Sequence, residues 1–338
     1  MDPNLQVSND AARALEEFSE EFRTALALGP INPWASDLGL VRNTNALKTS
    51  FPIPVSAAGY HEFKGDMKYR QLYERSLSMT MKKWQDGVEE FADVLEAPDF
   101  IDWAGEPARM ATEWMRQPNI MVADMLALNT LDGPVLDFYT DKDSGTAGTR
   151  KLFAADHPFN VFNVGLGDFD NRLSVTAAEI ANGTAWDSIT AHFRAIKGAN
   201  GKPLGLTFSG GYCLVPYTRE NLFKNALEFD TLIRNVASTG TINASASVVA
   251  AVTQNNRYKG TFGYTVSDEL ADQDHFYAFA APKAGLYPWC IQLGTPEEFI
   301  HDKSSDTYKA SLKVKYAVVG KANAAACLPH GIVRVTIT

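Results

Sequence analysis

Near the start of the chain, apolar residues recur every three or four positions: Leu15, Phe18, Phe22 and Leu26, with Arg13, Glu16, Glu17, Glu20 and Arg23 mostly opposite. That spacing predicts an amphipathic helix. Ser8-Asn9-Asp10 offers capping side chains and Gly29-Pro30 stops the run. A single apolar stripe at a chain end needs a cover, from this chain or from a neighbour. Residues 30–60 are punctuated by Pro30, Pro33, Pro52, Pro54 and Gly59 and read as irregular. Strict alternation follows, with Leu77, Met79 and Met81 on one side and Ser76, Ser78 and Thr80 on the other. It predicts a strand from Tyr73 to Lys82. Residues 67–72 alternate as well, so the segment reads as an extended hairpin. Such a hairpin is marginal alone and needs a surface to lie on.

Helical spacing returns at Val88, Phe91 and Leu95, for a short helix, and at Met110, Trp114, Met121, Met125 and Leu128, for a long one. Pro118 lies inside the long helix, where a missing donor and a steric clash predict a kink or two pieces. Asp132-Gly133-Pro134 ends it. In the middle of the chain, Thr184 with Asp187 reads as a capping box before the stripe Trp186, Ile189, Phe193 and Ile196, closed by Gly198. A strand at 212–215 leads to a helix near 219–229, and short strands follow at 247–252 and 276–280. Tyr308, Ala310, Leu312, Val314 and Tyr316 alternate with Lys309, Ser311, Lys313 and Lys315, predicting one strand, and 332–337 predicts the last. Helices and strands mixed in this order give the α+β class. No internal repeat has a fixed period.

Composition narrows the picture. A chain of 338 residues suggests roughly two domains. With 45% hydrophobic and 21% charged residues it is a folding sequence, not a disordered one. Its formal net charge is −9 and it has no basic run, so it lacks the cationic face of a nucleic-acid reader. No apolar stretch approaches the ~20 residues that cross a bilayer, and the first residues carry no secretory pattern. Cys213, Cys290 and Cys327 lie far apart, with no CxxC spacing and no framework of pairs, which favours a reducing interior during synthesis. Charge is unevenly spread. Residues 1–30 hold six acidic and two basic side chains, a balance of −4, and residues 61–84 hold six basic and three acidic, a balance of +3.

Candidate chemistry is thin. Asp156-His157-Pro158 is a polar cluster, but adjacent residues seldom point at one another, and His-Pro marks a turn. Ser209-Gly210-Gly211 lacks the nucleophile elbow. Residues 141–145 resemble the start of a calcium loop with no glutamate at its twelfth position. Gly165-Leu166-Gly167 lacks the third glycine of a dinucleotide fingerprint. The six histidines show no paired ligand spacing, and His192 reads as a helix-surface residue. Lys309, Lys313 and Lys315 read as the wet face of a strand. The residues assign no catalytic, cofactor-binding or metal site, and none is expected.

An end helix, a projecting hairpin, a long helix, a mixed middle and returning terminal strands together resemble the tailed-phage major capsid proteins of the Hong Kong 97 type. Glu62-Phe63-Lys64-Gly65 in the hairpin and Met79-Thr80-Met81-Lys82-Lys83-Trp84 after it resemble the major head subunit of Mu-like phages. So do Gln117-Pro118 in the long helix and Phe153 with His157-Pro158 beyond it. The resemblance covers most of residues 10–338, but 230–285 matches nothing nameable.

The resemblance implies an N-terminal arm at 1–48, an extended loop at 49–84, and a peripheral domain beginning at 85–132 with a long spine helix. An axial domain at 133–282 and returning peripheral strands at 283–338 complete the expectation. It implies a shell of hexamers and pentamers enclosing double-stranded DNA without reading its sequence, with no membrane and no cofactor. The shell would be made in the host cytoplasm and end as the virion capsid. The short stretch before the first helix resembles the subset served by a separate scaffold or protease; a portal and a decoration protein are further expected partners. Phe18, Phe22, Phe63, Lys64, Lys68, Tyr69, Leu77 and Met79 are the expected assembly contacts. Lys64 and Lys68 also lie where some relatives crosslink a loop lysine. An encapsulin-like nanocompartment shares the fold and is the nearest alternative; an α+β hydrolase and another phage component, such as a tail or baseplate protein, are the others.

Overall fold

The computed structural model describes residues 3–54, 74–91, 105–136, 150–159, 167–198, 201–236, 250–270, 272–281, 286–302 and 305–338. The chain opens with helices α1 (Pro3–Leu28) and α2 (Trp34–Leu38) and strands β1 (Leu40–Asn43), β2 (Lys48–Pro54), β3 (Glu74–Thr80) and β4 (Lys82–Phe91). Helix α3 (Glu106–Ala127) follows, then the short strands β5 (His157–Pro158), β6 (Asp168–Phe169) and β7 (Arg172–Val175). Next come α4 (Ala177–Asn182), α5 (Thr184–Ala195), β8 (Tyr212–Pro216), α6 (Glu220–Leu227), β9 (Thr231–Val236), β10 (Ala250–Asn255), β11 (Gly263–Ser267) and β12 (His275–Phe279). The chain closes with β13 (Trp289–Leu293), β14 (Glu297–His301), α7 (Asp306–Ser311), β15 (Lys313–Ala326) and β16 (Ile332–Ile337).

Two compact units result. Unit 1 gathers Met1–Thr49, Ser78–Val122 and Cys290–Ala325. Its sheet runs β1-β13-β15-β14, and β4 also pairs with β15. β15 organises this sheet because its even positions, Val314, Tyr316, Val318 and Ala322, are buried, as period-two patterning requires. β4 lies antiparallel to it from Lys313 opposite Phe91 to Ala322 opposite Lys82. β14 lies antiparallel from His301 opposite Lys315 to Glu297 opposite Val319.

Unit 2 gathers Ser50–Leu77, Ala123–Trp289 and Ala326–Thr338. Its sheet has the order β11-β8-β12-β16-β7. α4, α5 and α6 send Ile180, Trp186, Ile189, Phe193, Phe223 and Leu227 into one core with Cys213, Val215, Phe276, Val333 and Val335 of the sheet. Trp186 anchors it, with ring centroids 4.9 Å from Phe262 and 5.7 Å from Phe223. Gly183 links α4 to α5 at φ +85°, and a Cβ there would meet Tyr258 Cε2 at 2.7 Å. This is a left-handed position that glycine adopts without strain.

Several local expectations change. The helix expected around Val88 and Phe91 is strand β4; residues 92–95 lie outside the described residues. Val88 and Phe91, three apart and spaced for a helix, pair instead with Tyr316 and Lys313 of β15, and that ladder decides for strand. The predicted strand over 308–312 is helix α7, and β15 begins only at Lys313, after Leu312 turns at φ +58°. The strand expected to run through Lys82 divides at Met81, whose N–H donates to Leu47 O. α3 passes through Pro118 as one helix and ends at Ala127, before a run of positive φ at Asn129, Thr130 and Leu131.

The capping box is not at Thr184 and Asp187. It is at Thr176, whose hydroxyl accepts from the Glu179 N–H while Glu179 accepts from the Thr176 N–H. Asp187 instead pairs with Arg257. The final strand lies in the unit 2 sheet, where its partners β12 and β7 come from the middle of the chain. Cys213 is a free buried thiol, whereas Cys290 and Cys327 are disulfide-bonded, which corrects the expectation of no pairs.

Candidate functional site

In unit 1 one face of the sheet is covered by helices. Leu15, Phe18 and Phe22 of α1 pack with Met110 and Ala111 of α3 on Val314, Tyr316 and Val318 of β15. The Phe18 and Tyr316 rings meet edge to face at 5.9 Å. A polar clasp adjoins this apolar seam. The Glu298 carboxylate accepts from Ser19 Oγ at 2.5 Å, Arg23 Nε at 2.8 Å and Tyr316 Oη at 3.2 Å. Its side chain is only 14% exposed, so three donors compensate a charge that is largely out of water. Burial first, and then the Glu298 charge, push the Tyr316 hydroxyl pKa up.

Farther along β15, Gly320 leaves room for the Trp114 ring of α3. Trp84, Met110, Trp114, Gln117 and Val318 line a groove of about 220 Å³ there, with Asp86 and Glu113 also in its lining. The opposite β15 positions carry charge: Lys313 and Lys315 both reach Glu89 of β4, at 2.8 and 2.7 Å. Their hydrogen bonds hold the Glu89 carboxyl down to about 2. Lys309 is not on this strand and pairs with Asp306 inside α7.

The polar cluster in unit 2 is taken apart by the fold. Asp156 pairs with Arg150 at 3.5 Å. His157 is fully buried, with Nε2 at 3.0 Å from Leu152 O, and its ring lies 5.2 Å from Phe169. The Phe169 ring also lies 4.7 Å from the His330 ring. Burial lowers both imidazoles, His157 to about 4 and His330 to about 3. His192, expected at the surface, is half-buried, and burial lowers its pKa as well. Ser209-Gly210-Gly211 is a loop before β8. Among the described residues no three His, Cys, Asp or Glu side chains gather into a cation site. Residues 141–145 lie outside the described residues.

No family model matches the chain, and no curated protein matches it. Solved structures do. The capsid protein of a native GTA particle matches at 10% identity over 92% of this chain and 92% of that chain, with a TM-score of 0.50. The chain has the Hong Kong 97-type capsid fold. The procapsid protein of bacteriophage JBD30 matches at 12% identity over 100% of this chain and 77% of that one, with a TM-score of 0.48. A virus-like particle from Pyrococcus furiosus matches at 9% identity, over 95% and 98%, with a TM-score of 0.48.

Within this Hong Kong 97-type chain the expected assembly contacts fall into two groups. Phe63, Lys64, Lys68 and Tyr69 lie outside the described residues. Phe18, Phe22 and Met79 are buried, Phe22 to 1% exposure, and Leu77 is half-buried. The α1 stripe, whose cover the sequence left open, is covered by unit 1 itself. Phe18 and Phe22 pack into this chain's own core. The sequence pattern did not single out Phe299 and Ile300 of β14, which are 44% and 45% exposed. Glu297-Glu298-Phe299-Ile300-His301 does not alternate, and that irregularity was the available signal.

Proposed function

We propose that the chain is the major head protein of a tailed phage, a self-assembling subunit of an icosahedral shell around double-stranded DNA. The carrying observation is the fold, matched over nine-tenths of both chains to a subunit of a native GTA capsid. The net charge of −9 is consistent with a wall that encloses DNA without gripping it. Glu62-Phe63-Lys64-Gly65 and Gln117-Pro118 support the narrower Mu-like reading. In this reading residues 1–48 form the arm, 49–84 the extended loop that overlaps a neighbour, and α3 the spine of the peripheral domain. Hexamers and pentamers of the chain close the shell by symmetry, with a separate scaffold or protease, a portal and a decoration protein as partners. Synthesis takes place in the host cytoplasm and the product is the virion capsid. The role is structural.

Electron microscopy of the protein, expressed alone and together with its genomic neighbours, tests this directly. Closed shells of regular size are expected, and nuclease-protected DNA inside them identifies the cargo. A monodisperse monomer at all concentrations and in all co-expressions refutes the shell reading.

A further inference from the structure

The unit 1 sheet has differently dressed strands at its borders. β4 pairs only with β15 among the described residues, and it exposes Lys82, Lys83, Asp86 and Glu89. Charges of this kind discourage a further strand from adding on. β14 also pairs only with β15 among the described residues, but it exposes two adjacent large apolar side chains. Phe299 points to one face of the sheet and Ile300 to the other, and each is nearly half exposed. An edge strand with apolar side chains bared on both faces is a template for another strand.

The strand is complementary to itself. In an antiparallel pair centred on Phe299, residue 297 of one copy stands opposite 301 of the other, and 298 opposite 300. Glu297 then faces the imidazole of His301 twice, once at each end, and the two Phe299 rings meet at the centre on the same face. Opposite charge or hydrogen-bonding partners and aromatic pairs are the favourable cross-strand combinations. Glu298 brings no uncompensated charge, because Ser19, Arg23 and Tyr316 of its own chain already hold it. It leaves Ile300 of the second copy an aliphatic stem to pack on.

We propose that β14 is a two-fold docking edge whose occupant is β14 of a second copy, paired antiparallel about Phe299. The contact is isologous, with the same patch used by both copies. It continues the unit 1 sheet across the two-fold axis and occupies the outer backbone groups of β14. Five residues a side bury less than the ~1,000 Å² expected of a stable lone interface, so the pair forms at high local concentration or as one contact among several. The inference rests on the edge and on the order of its side chains, and needs no closed shell.

Cysteine crosslinking tests it. Facing Cα atoms in an antiparallel pair stand about 4.5–5.5 Å apart, within the span a disulfide bridges. The background is quiet, since Cys213 is buried and Cys290 and Cys327 are disulfide-bonded. Under mild oxidation the full chain carrying Phe299→Cys should give covalent dimers at least tenfold faster than one carrying Lys309→Cys, an exposed control on α7. Circular dichroism checks that both fold. Adding Glu297→Lys to the Phe299→Cys chain should slow crosslinking, and adding His301→Glu as well should restore it. Dimer formation no faster than the control overturns the docking edge, and failure of the charge swap to restore the rate overturns the register. Shells without the crosslink would remove this inference and leave the shell reading standing; the crosslink without shells would do the reverse.

Discussion

Replacing Gly320 by alanine gives the sharpest measure of how unit 1 is packed. Gly320 lies on β15 opposite Trp84 of β4, and the Trp114 ring covers it. A Cβ built there would sit 2.1 Å from both Cη2 and Cζ3 of Trp114. Ordinary carbon contacts are about 3.5–4.0 Å, so the ring must retreat by roughly 1.5 Å. Trp114 is 9% exposed and is packed with Met121 and Ala322. Overpacking of this kind costs about 1–3 kcal/mol. Removing a glycine from a strand interior returns about 0.5–1 kcal/mol. The net expectation is a loss of about 1–2 kcal/mol, or a melting point lower by about 2–8 °C.

Calorimetry on the isolated chain reads the shift, and tryptophan near-ultraviolet dichroism reports the displaced ring. In a Trp114→Leu background the same change should cost at least about 1 kcal/mol less, as a double-mutant cycle between touching residues. A Gly320→Ala chain as stable as the parent, or an equal cost in both backgrounds, would falsify the packing argument.

Three other outcomes are expected. Glu298→Ala removes the acceptor for Ser19, Arg23 and Tyr316 and should lower unit 1 stability by about 1–3 kcal/mol, with Glu298→Gln costing less; denaturant midpoints measure both, and an unchanged midpoint for the alanine variant counts against the clasp. His157 and His330 are held neutral by burial, with Asp156, Arg150 and Asp170 the charged groups acting on His157. Their folded pKa values lie below the unfolded ~6.5, so neither costs stability above that pH. Between about pH 6.5 and 4 the unfolded chain takes up protons that the folded chain refuses, and stability falls by up to about 1.4 kcal/mol per pH unit for each histidine. His157→Asn and His330→Asn should flatten that slope in pH-dependent melts, and an unaltered slope would discount the pair. Finally, if the acidic arm and basic loop attract one another between copies, Lys64→Glu with Lys68→Glu should impair particle assembly while the subunit still folds; normal particles by microscopy would remove that idea.

Where side chains repeat with a local period, the sequence was enough. The stripe of α1, the Met and Trp residues of α3, the Trp186 to Phe193 face of α5 and the inward Val314 and Tyr316 of β15 follow from spacing, because a helix face or strand face is set by the chain's own geometry. The order of elements also carried the resemblance to a capsid fold, which the three-dimensional match bears out. What the sequence left open were choices between partners. Val88 and Phe91 carry helical spacing, and the ladder with β15 overrode it and made them strand. Thr176 and Thr184 both precede an acidic residue, and the fold capped a helix with one and tied Asp187 to Arg257 at the other. The final strand went to β12 and β7, more than fifty residues away in sequence. The cover of α1 and the exposure of Phe299 and Ile300 are of the same kind. Burial is a property of what lies opposite, and what lies opposite comes from distant parts of the chain, where no local period reaches.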